Sequence, residues 1–394
     1  MSSKAKTTAT QEEATPALVP KLRFPEFRGA GGWKQTPLEY CLDYQQPTPY
    51  LVADTKYSPA FKTPVLTAGK TFILGYTDEQ NGIFSEDLPV IIFDDFTTAT
   101  QFVDFPFKVK SSAMKILQAK NGADIKFMYE TLQTLAYEVG AHERHWISIF
   151  APMSVPVPNP AEQQKIAECL SSVDNLIAAQ VRKVDALKTH KKGLMQQLFP
   201  MEGETQPHLR FPEFQNAGEW EESIVGELIV TITPPKKLQT SDYQPEGEFP
   251  IVDQSQDYIC GWTNDGEAVI DKGLPVIVFG DHTCALKFID QPFAQGADGI
   301  KILRPKRGID IRFLFCALEA DPVVQESYKR HFSILREKKL FYPDPKSGEQ
   351  HRIASCLSSL DALITLETQK LEALKTHKKG LMQQLFPSPE EIEA

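Results

Sequence analysis

Fifteen consecutive residues occur twice in this chain. Residues 186–200 read ALKTHKKGLMQQLFP, and residues 373–387 repeat them 187 positions later. The same offset carries LRFPEF from 22–27 to 209–214, Trp33 to Trp220 and Glu162-Gln163 to Glu349-Gln350. Repetition of this length constrains the architecture before any local propensity does, because both copies must fold alike within one chain. The 394 residues suffice for two copies of one unit, each with its own core. A pseudo-two-fold object is expected.

Two bodies, residues 33–159 and 220–348, lie between these motifs. Both are rich in Pro and Gly, with short apolar runs between turn signals. PVIIF at 89–93 and PVIVF at 275–279 read as buried strands. Residues 124–139 and 310–320 read as helices, so each body is expected to be an α+β domain with a curved sheet. With the offset shortened to 186, residues 89–117 lie on 275–303. Asp95, Thr97, Phe102, Asp104, Pro106, Phe107, Lys115, Ile116 and Leu117 match Asp281, Thr283, Phe288, Asp290, Pro292, Phe293, Lys301, Ile302 and Leu303, whereas Phe96/His282, Thr98/Cys284, Thr100/Leu286 and Gln101/Lys287 differ. A kept frame with drifted residues implies two readers of different things.

The segments after the bodies carry apolar residues at alternating spacings of three and four: Ile166, Leu170, Val173, Ile177, Val184, Leu187, Leu194 and Leu198, then Ile353, Leu357, Leu360, Ile364, Leu371, Leu374, Leu381 and Leu385. This is a coiled-coil seam, interrupted at Gln180/Glu367 and Lys191/Lys378, where polar residues can set register. Pro200 and Pro387 stop both helices. A helix of about 37 residues is roughly 55 Å long and needs a partner for its stripe. The other copy is the nearest, and a two-fold relation makes the pair antiparallel. The chain thus divides into a disordered tail (1–20), a first domain (21–160), a first spacer helix (161–200), a second domain (201–348), a second spacer helix (349–387) and a tail (388–394).

Composition narrows the chemistry. No apolar run reaches the roughly 18 residues of a membrane span, and no signal segment opens the chain, so a cytoplasmic protein is expected. Six cysteines without a CxxC spacing read as reduced thiols. His142 and His145 of HERH have no further ligands nearby, and no metal is expected. The tandem prolines Pro234-Pro235 are followed by Lys236 rather than the aromatic residue of an adenine methyltransferase. Where Gly69-Lys70-Thr71 would need the first glycine of a phosphate loop stands Pro64. Glu337-Lys338-Lys339 lacks the strand-borne upstream Asp of a nuclease. No catalytic residue emerges. The net charge of −10 argues against tight independent binding of phosphates, although a local groove can be basic on an acidic body.

LRFPEF followed by a Trp, the GDHT segment leading to GADGIKIL, the EQxxIAxxLSSxD helix start and the KTHKKGLMQQLFP end together resemble the specificity subunit of type I restriction-modification systems, across residues 21–387. The resemblance implies that each body is a target recognition domain reading half of an asymmetric bipartite sequence in double-stranded DNA. The helices would be an antiparallel spacer that docks two methyltransferase subunits, which restriction (translocase/nuclease) subunits then join. Catalysis would be borrowed, with S-adenosylmethionine, ATP and Mg held by the partners. A non-catalytic protein–protein scaffold with two binding bodies on a coiled-coil spacer is the alternative.

Donors suited to phosphates and base edges are Thr97, Thr98, Gln101, Lys108, Lys110 and Lys115 in the first body. In the second they are Lys236, Lys237, Thr283, Lys287, Lys301, Lys306 and Arg307. Asp94, Asp95 and Asp281 read as turn residues after a strand. Lys188, His190, Lys191 and Lys192, repeated as Lys375, His377, Lys378 and Lys379, either touch DNA phosphates or complement the negative helix ends.

If the helices act as a ruler, one heptad added to both keeps the seam and lengthens it by about 10 Å, or roughly three base pairs. Sequencing the sites methylated with the methyltransferase partner should show the same bases across a changed gap. An active heptad variant that keeps the original spacing refutes the ruler. Two added residues swing the seam by about 200° and should abolish packing.

Overall fold

The computed structural model describes residues 18–67, 71–135, 137, 139, 144–297, 299–326 and 329–387. The tail at 388–394, residues 1–17 of the other tail, Gly69-Lys70 and His142 lie outside the described residues. Two compact units form. Among the described residues, one takes 18–179 and 371–387, the other Gln180–Lys370.

The first unit contains β1 (Lys34–Pro37), α1 (Leu38–Cys41), β2 (Leu42–Gln45), β3 (Thr63–Leu66), β4 (Ile73–Thr77), β5 (Val90–Asp94), β6 (Thr100–Val103), β7 (Lys108–Val109), β8 (Met114–Ala119), α2 (Ile125–Thr134), β9 (Ser154–Val157) and the start of the long helix α3 (Pro160–Leu198). In place of one curved sheet there are three: β2-β8-β5-β6, β4-β3-β7 and the pair β1-β9. The reason lies in β5, whose alternate residues point to opposite sides. Ile91 and Phe93 join Phe127, Trp146 and Leu170 in one core. Val90 and Ile92 join Leu66, Phe107 and Ile116 in another, under β3 and β7. A strand covered on both faces reads as a continuous apolar run. Helix α2 opens where Asp124 accepts the Phe127 amide at 2.8 Å, and it ends at Thr134, short of the expected residue 139, because Leu135 is already extended.

Helix α3 begins on Pro160, whose missing N–H is no loss at a first helical position, and Asn159 Oδ1 accepts the Glu162 amide at 3.1 Å. Glu162 is buried and receives Arg23 through Nε and Nη2, both at 2.7 Å. The rest of the guanidinium donates to the Ala30 and Gly31 carbonyls. Gln163 Oε1 accepts the Asp124 amide at 3.0 Å, tying α3 to the start of α2. The last turns of the second long helix also belong to this unit. The Leu22 amide donates to Gln384 O at 2.8 Å, Phe386 stacks on Phe127 and meets Trp33 edge-on, and Lys378 pairs with Asp174 at 2.8 Å and Glu130 at 3.0 Å. The start of α3 thus meets the end of its companion, an antiparallel arrangement.

The second unit repeats the plan with β10 (Glu221–Ile224), α4 (Val225–Leu228), β11 (Ile229–Ile232), β12 (Phe249–Val252), β13 (Gly261–Thr263), β14 (Val269–Ile270), β15 (Val276–Gly280), β16 (Leu286–Ile289), β17 (Phe293–Gln295), β18 (Ile300–Pro305), α5 (Ile311–Ala320), α6 (Phe332–Glu337), β19 (Lys339–Tyr342) and the start of α7 (Glu349–Leu385). Its sheets are β11-β18-β15-β16, β13-β12-β17-β14 and β10-β19. Arg210 grips Glu349 through the same two nitrogens, and Gln350 accepts the Asp310 amide at 2.8 Å. The Leu209 amide meets Gln197 O at 2.9 Å, Phe199 packs on Trp220 and Phe313, and Lys191 pairs with Asp361 at 2.6 Å and Glu319 at 3.2 Å. The compact unit is therefore not the sequence repeat: each takes the start of its own repeat's helix and the end of the other's. Gln180 Nε2 donates to Glu367 Oε2 at 2.7 Å, so the two polar interruptions of the seam, which are equivalent under the offset of 187, meet each other.

Glu162→Gln should destabilise the first unit by about 3 kcal/mol, since it leaves a buried guanidinium without its counter-charge. Arg23→Met combined with Glu162→Leu should recover most of that in a urea titration. A second expectation concerns acid. Hydrogen bonds from Gln180, Lys183 and Lys370 hold the Glu367 carboxyl down at about 2, against an ordinary 4.5. A depressed carboxylate stabilises the fold fully above its unfolded value and loses that contribution as pH falls toward the folded one. The stability difference between the parent chain and Glu367→Gln should hold steady above about pH 5 and shrink between about pH 4.5 and pH 2.

Candidate nucleic-acid interface

In the first unit the hairpin joining β5 to β6 turns on Asp94, whose Oδ1 accepts the Phe96 and Thr97 amides at 2.8 and 2.7 Å. This agrees with a turn residue. Thr98 sits at φ +58, and Thr97 is exposed at the tip. The Asp95 amide donates to Ala113 O at 3.0 Å, which sets the tip beside Lys110, Ser111 and Ser112, all exposed. Ser111 and Ser112 were not singled out from the sequence.

Asp95 itself does other work. It is buried, and its Oδ1 accepts the Trp146 amide at 2.8 Å while its Oδ2 lies 3.4 Å from Lys115 Nζ. His145 donates Nδ1–H to the Asp95 carbonyl at 3.0 Å from a fully buried position, which removes it from any surface role. Lys115 and Lys108, expected to face a ligand, are 1% and 3% exposed. Lys108 is held by Glu79 at 2.8 Å and the Asn81 carbonyl at 2.6 Å, and the Glu79 carboxyl is pulled down by the Asp54 amide and by Lys108. Each has an acidic partner within the domain, Glu79 for Lys108 and Asp95 for Lys115, so their charge is neutralised internally. Gln101 is half-buried, and Lys110 lies 6.0 Å over the Tyr57 ring.

In the second unit Asp281 repeats the part of Asp95, accepting the Phe332 amide at 2.8 Å, with His331 on its carbonyl. Thr283 is turned inward, its Oγ1 donating to Gln254 O at 2.5 Å. Lys287 is 5% exposed and donates to the Asp253 and Asp257 carbonyls at 2.8 and 2.5 Å, so it too is committed inside the domain. Lys301 is half-buried with its ammonium 5.5 Å over Phe332. Lys236 is exposed and pairs with Asp265 at 2.6 Å. Lys237 is exposed and bridges to Gln295, at the end of β17. Lys306 and Arg307 are exposed but follow the far end of β18: Ile300 lies beside Gly280, next to the hairpin tip, whereas Pro305 lies beside Ile229. The structure does not bring them to the hairpin.

Sequence reasoning missed the loop between β12 and β13, where Gln256, Asp257 and Tyr258 are exposed. A signal was available. Val65 faces Gly75 across β3 and β4 as Ile251 faces Gly261 across β12 and β13, so the loops have equal length, yet TAGKTF at 67–72 and DQSQDY at 253–258 share no residue.

On the long helices, Lys191 and Lys378 are taken by acidic partners of their own units, which replaces both the phosphate and the helix-end reading for those two. Lys188, His190, Lys192, His377 and Lys379 are exposed, and Lys375 pairs with Glu372 at 2.8 Å. The seam residues Ile166, Leu170, Val173, Ile353 and Leu357 are buried, and Ile177, Leu187, Leu194, Leu360, Ile364, Leu374 and Leu381 half-buried. Among the described residues no cluster of His, Cys, Asp or Glu could hold a metal, and no helix is long and apolar enough to cross a membrane. All six cysteines are free, and burial pushes the Cys260 thiol up to about 11.

Residues 217–376 match the type I restriction modification DNA specificity domain. The chain is 32% identical over 376 residues to the EcoR124I/EcoR124II specificity subunit of Escherichia coli, covering 85% of this chain and 88% of that one. It is 25% identical over 266 residues to the MjaVIII specificity subunit of Methanocaldococcus jannaschii, covering 60% and 62%. The solved S subunit of a type I restriction-modification system from M. genitalium shares the fold, with a TM-score of 0.65 over 94% of this chain and 99% of that one at 18% identity.

Proposed function

Because the chain belongs to the specificity subunits of type I restriction-modification systems, we propose that its two units each read one half of an asymmetric bipartite target in double-stranded DNA. One observation carries this reading. The units share the four-stranded order β2-β8-β5-β6 and β11-β18-β15-β16 and the Asp95 and Asp281 pins, while the hairpin tips at 96–98 and 282–284 and the loops at 67–72 and 253–258 differ in chemistry without differing in length. Different side chains on one frame are what two distinct half-sites require, since base edges are discriminated by donor and acceptor pattern. In the first unit Thr97, Thr98 and Lys110 face the DNA, and in the second Lys237 and Lys301 do.

The two long helices pair as an antiparallel coiled coil with a local dyad between Gln180 and Glu367. Support comes from their hydrogen bond, since a residue at a dyad meets its own equivalent. The exposed faces of these helices dock two methyltransferase subunits, with restriction subunits joining them. The chain itself is non-catalytic, and S-adenosylmethionine, ATP and Mg belong to the partners. It works in the cytoplasm, with its DNA. With a net charge of −10 and three of the candidate lysines turned inward, it binds DNA weakly alone, because much of the phosphate neutralisation must come from the partners.

Replacing residues 33–159 by the corresponding body of another family member should change one half of the methylated sequence and leave the other intact. Mapping N6-methyladenine in a host that carries the chain and its methyltransferase reads this directly. Both halves changing together would sink the two-reader model, and no dependence of methylation on either body would favour the scaffold alternative.

A further inference from the structure

The loop after β12 is held from within to an unusual degree. Lys287 Nζ binds the carbonyls of Asp253 and Asp257, Thr283 Oγ1 binds that of Gln254, and Tyr258 donates its hydroxyl to Phe288 O at 2.5 Å. Asp253 Oδ1 closes the bend by accepting the Ser255 amide at 2.8 Å. The Gln254 side chain rests against Gly299, at φ +107, where a Cβ would lie 2.7 Å from it. Only a glycine lets the segment before β18 come so close.

A buried ammonium is unfavourable, and burial indeed pushes the Lys287 pKa down. Two carbonyls accept two of its three N–H donors. The first unit dispenses with it, carrying Gln101 at the equivalent position. The lysine is therefore not a requirement of the shared frame. What it does is specific to this loop: with three carbonyls turned inward, Gln256 and Asp257 are left outward on a fixed backbone.

Resting on the function proposed above, we infer that the loop of residues 253–258 reads base edges of the second half-site, with Gln256 and Asp257 discriminating and Lys287 positioning them. Glutamine pairs with the N6 and N7 of adenine, and a carboxylate accepts from the N4 amino group of cytosine. The chemistry expected at these positions is thus an exocyclic amino group in the major groove. An aspartate near phosphates lowers affinity, so its value there lies in rejecting bases that present an acceptor.

The test uses the full chain with its methyltransferase and N6-methyladenine mapping across the host genome. Gln256→Ala and Asp257→Ala, both exposed and tolerable to the fold, should each relax a base of the second half-site, with discrimination falling by about ten- to a hundredfold and the first half-site unchanged. Lys287→Gln should relax the same positions and no others. Unaltered base preference in both loop variants overturns the inference. So does a Lys287→Gln chain that methylates all sites less while keeping its preference, because that is merely structural weakening. Exchange of residues 220–348 keeps the two levels apart: if exchange moves the half-site while the loop variants are silent, only this inference fails, whereas exchange without effect removes the function it rests on.

Discussion

A guanidinium facing a buried carboxylate secures each long helix to the domain it leaves, and most of the remaining architecture follows from that contact. Burying two charges is expensive unless every donor is matched. Here Arg23 spends Nε and Nη2 on both oxygens of Glu162 and its other donors on the Ala30 and Gly31 carbonyls. Only the planar fork of arginine can do this, and a lysine in its place would leave one oxygen unserved. The next residue of the helix, Gln163 or Gln350, reaches the amide of the α2 or α5 cap. Two consecutive residues thus fix the helix in position and in rotation. The short repeated motifs LRFPEF and EQ are the two halves of one joint.

The far end of each helix is secured differently, by packing and by a lysine whose partners show how the two units solved one problem twice. Lys378 is met by Glu130 on α2, and Lys191 by Glu319 on α5. The position equivalent to Glu130 in α5 is Cys316, and the carboxylate has moved three residues along to Glu319. Residues three apart lie on the same helix face, so the ammonium finds its counter-charge either way. The requirement is a charge at a place, not a residue at a position.

The hairpin tips and loops proposed to read DNA obey the opposite rule. Around Asp95 and Asp281 the backbone is pinned identically, each aspartate binding the amide of the residue after a buried histidine. The exposed side chains of the tips and loops beside those pins, such as Thr97, Gln256 and Asp257, lie outside the core and are free to vary. This separation explains how an acidic chain can be specific for DNA: selection of bases needs few, well-held side chains, whereas overall attraction to phosphates can be supplied by other subunits.

The repeat, the long helices with their seam and the apolar strands were legible in the sequence, because periodicity and duplication are properties of neighbours along the chain. The compact units were not. A repeat announces that two segments fold alike, but only tertiary packing decides that Phe386 settles on Trp33 and Phe199 on Trp220. Burial of the lysines was equally hidden. Lys108, Lys115 and Lys287 lie on strands covered on both faces, where alternation no longer distinguishes inside from outside, and each finds a carbonyl or carboxylate far off in sequence. The loop at 253–258 was readable as a difference between copies; its exposure and its attachment to Lys287 depended on which residues the folded sheets bring within hydrogen-bonding distance.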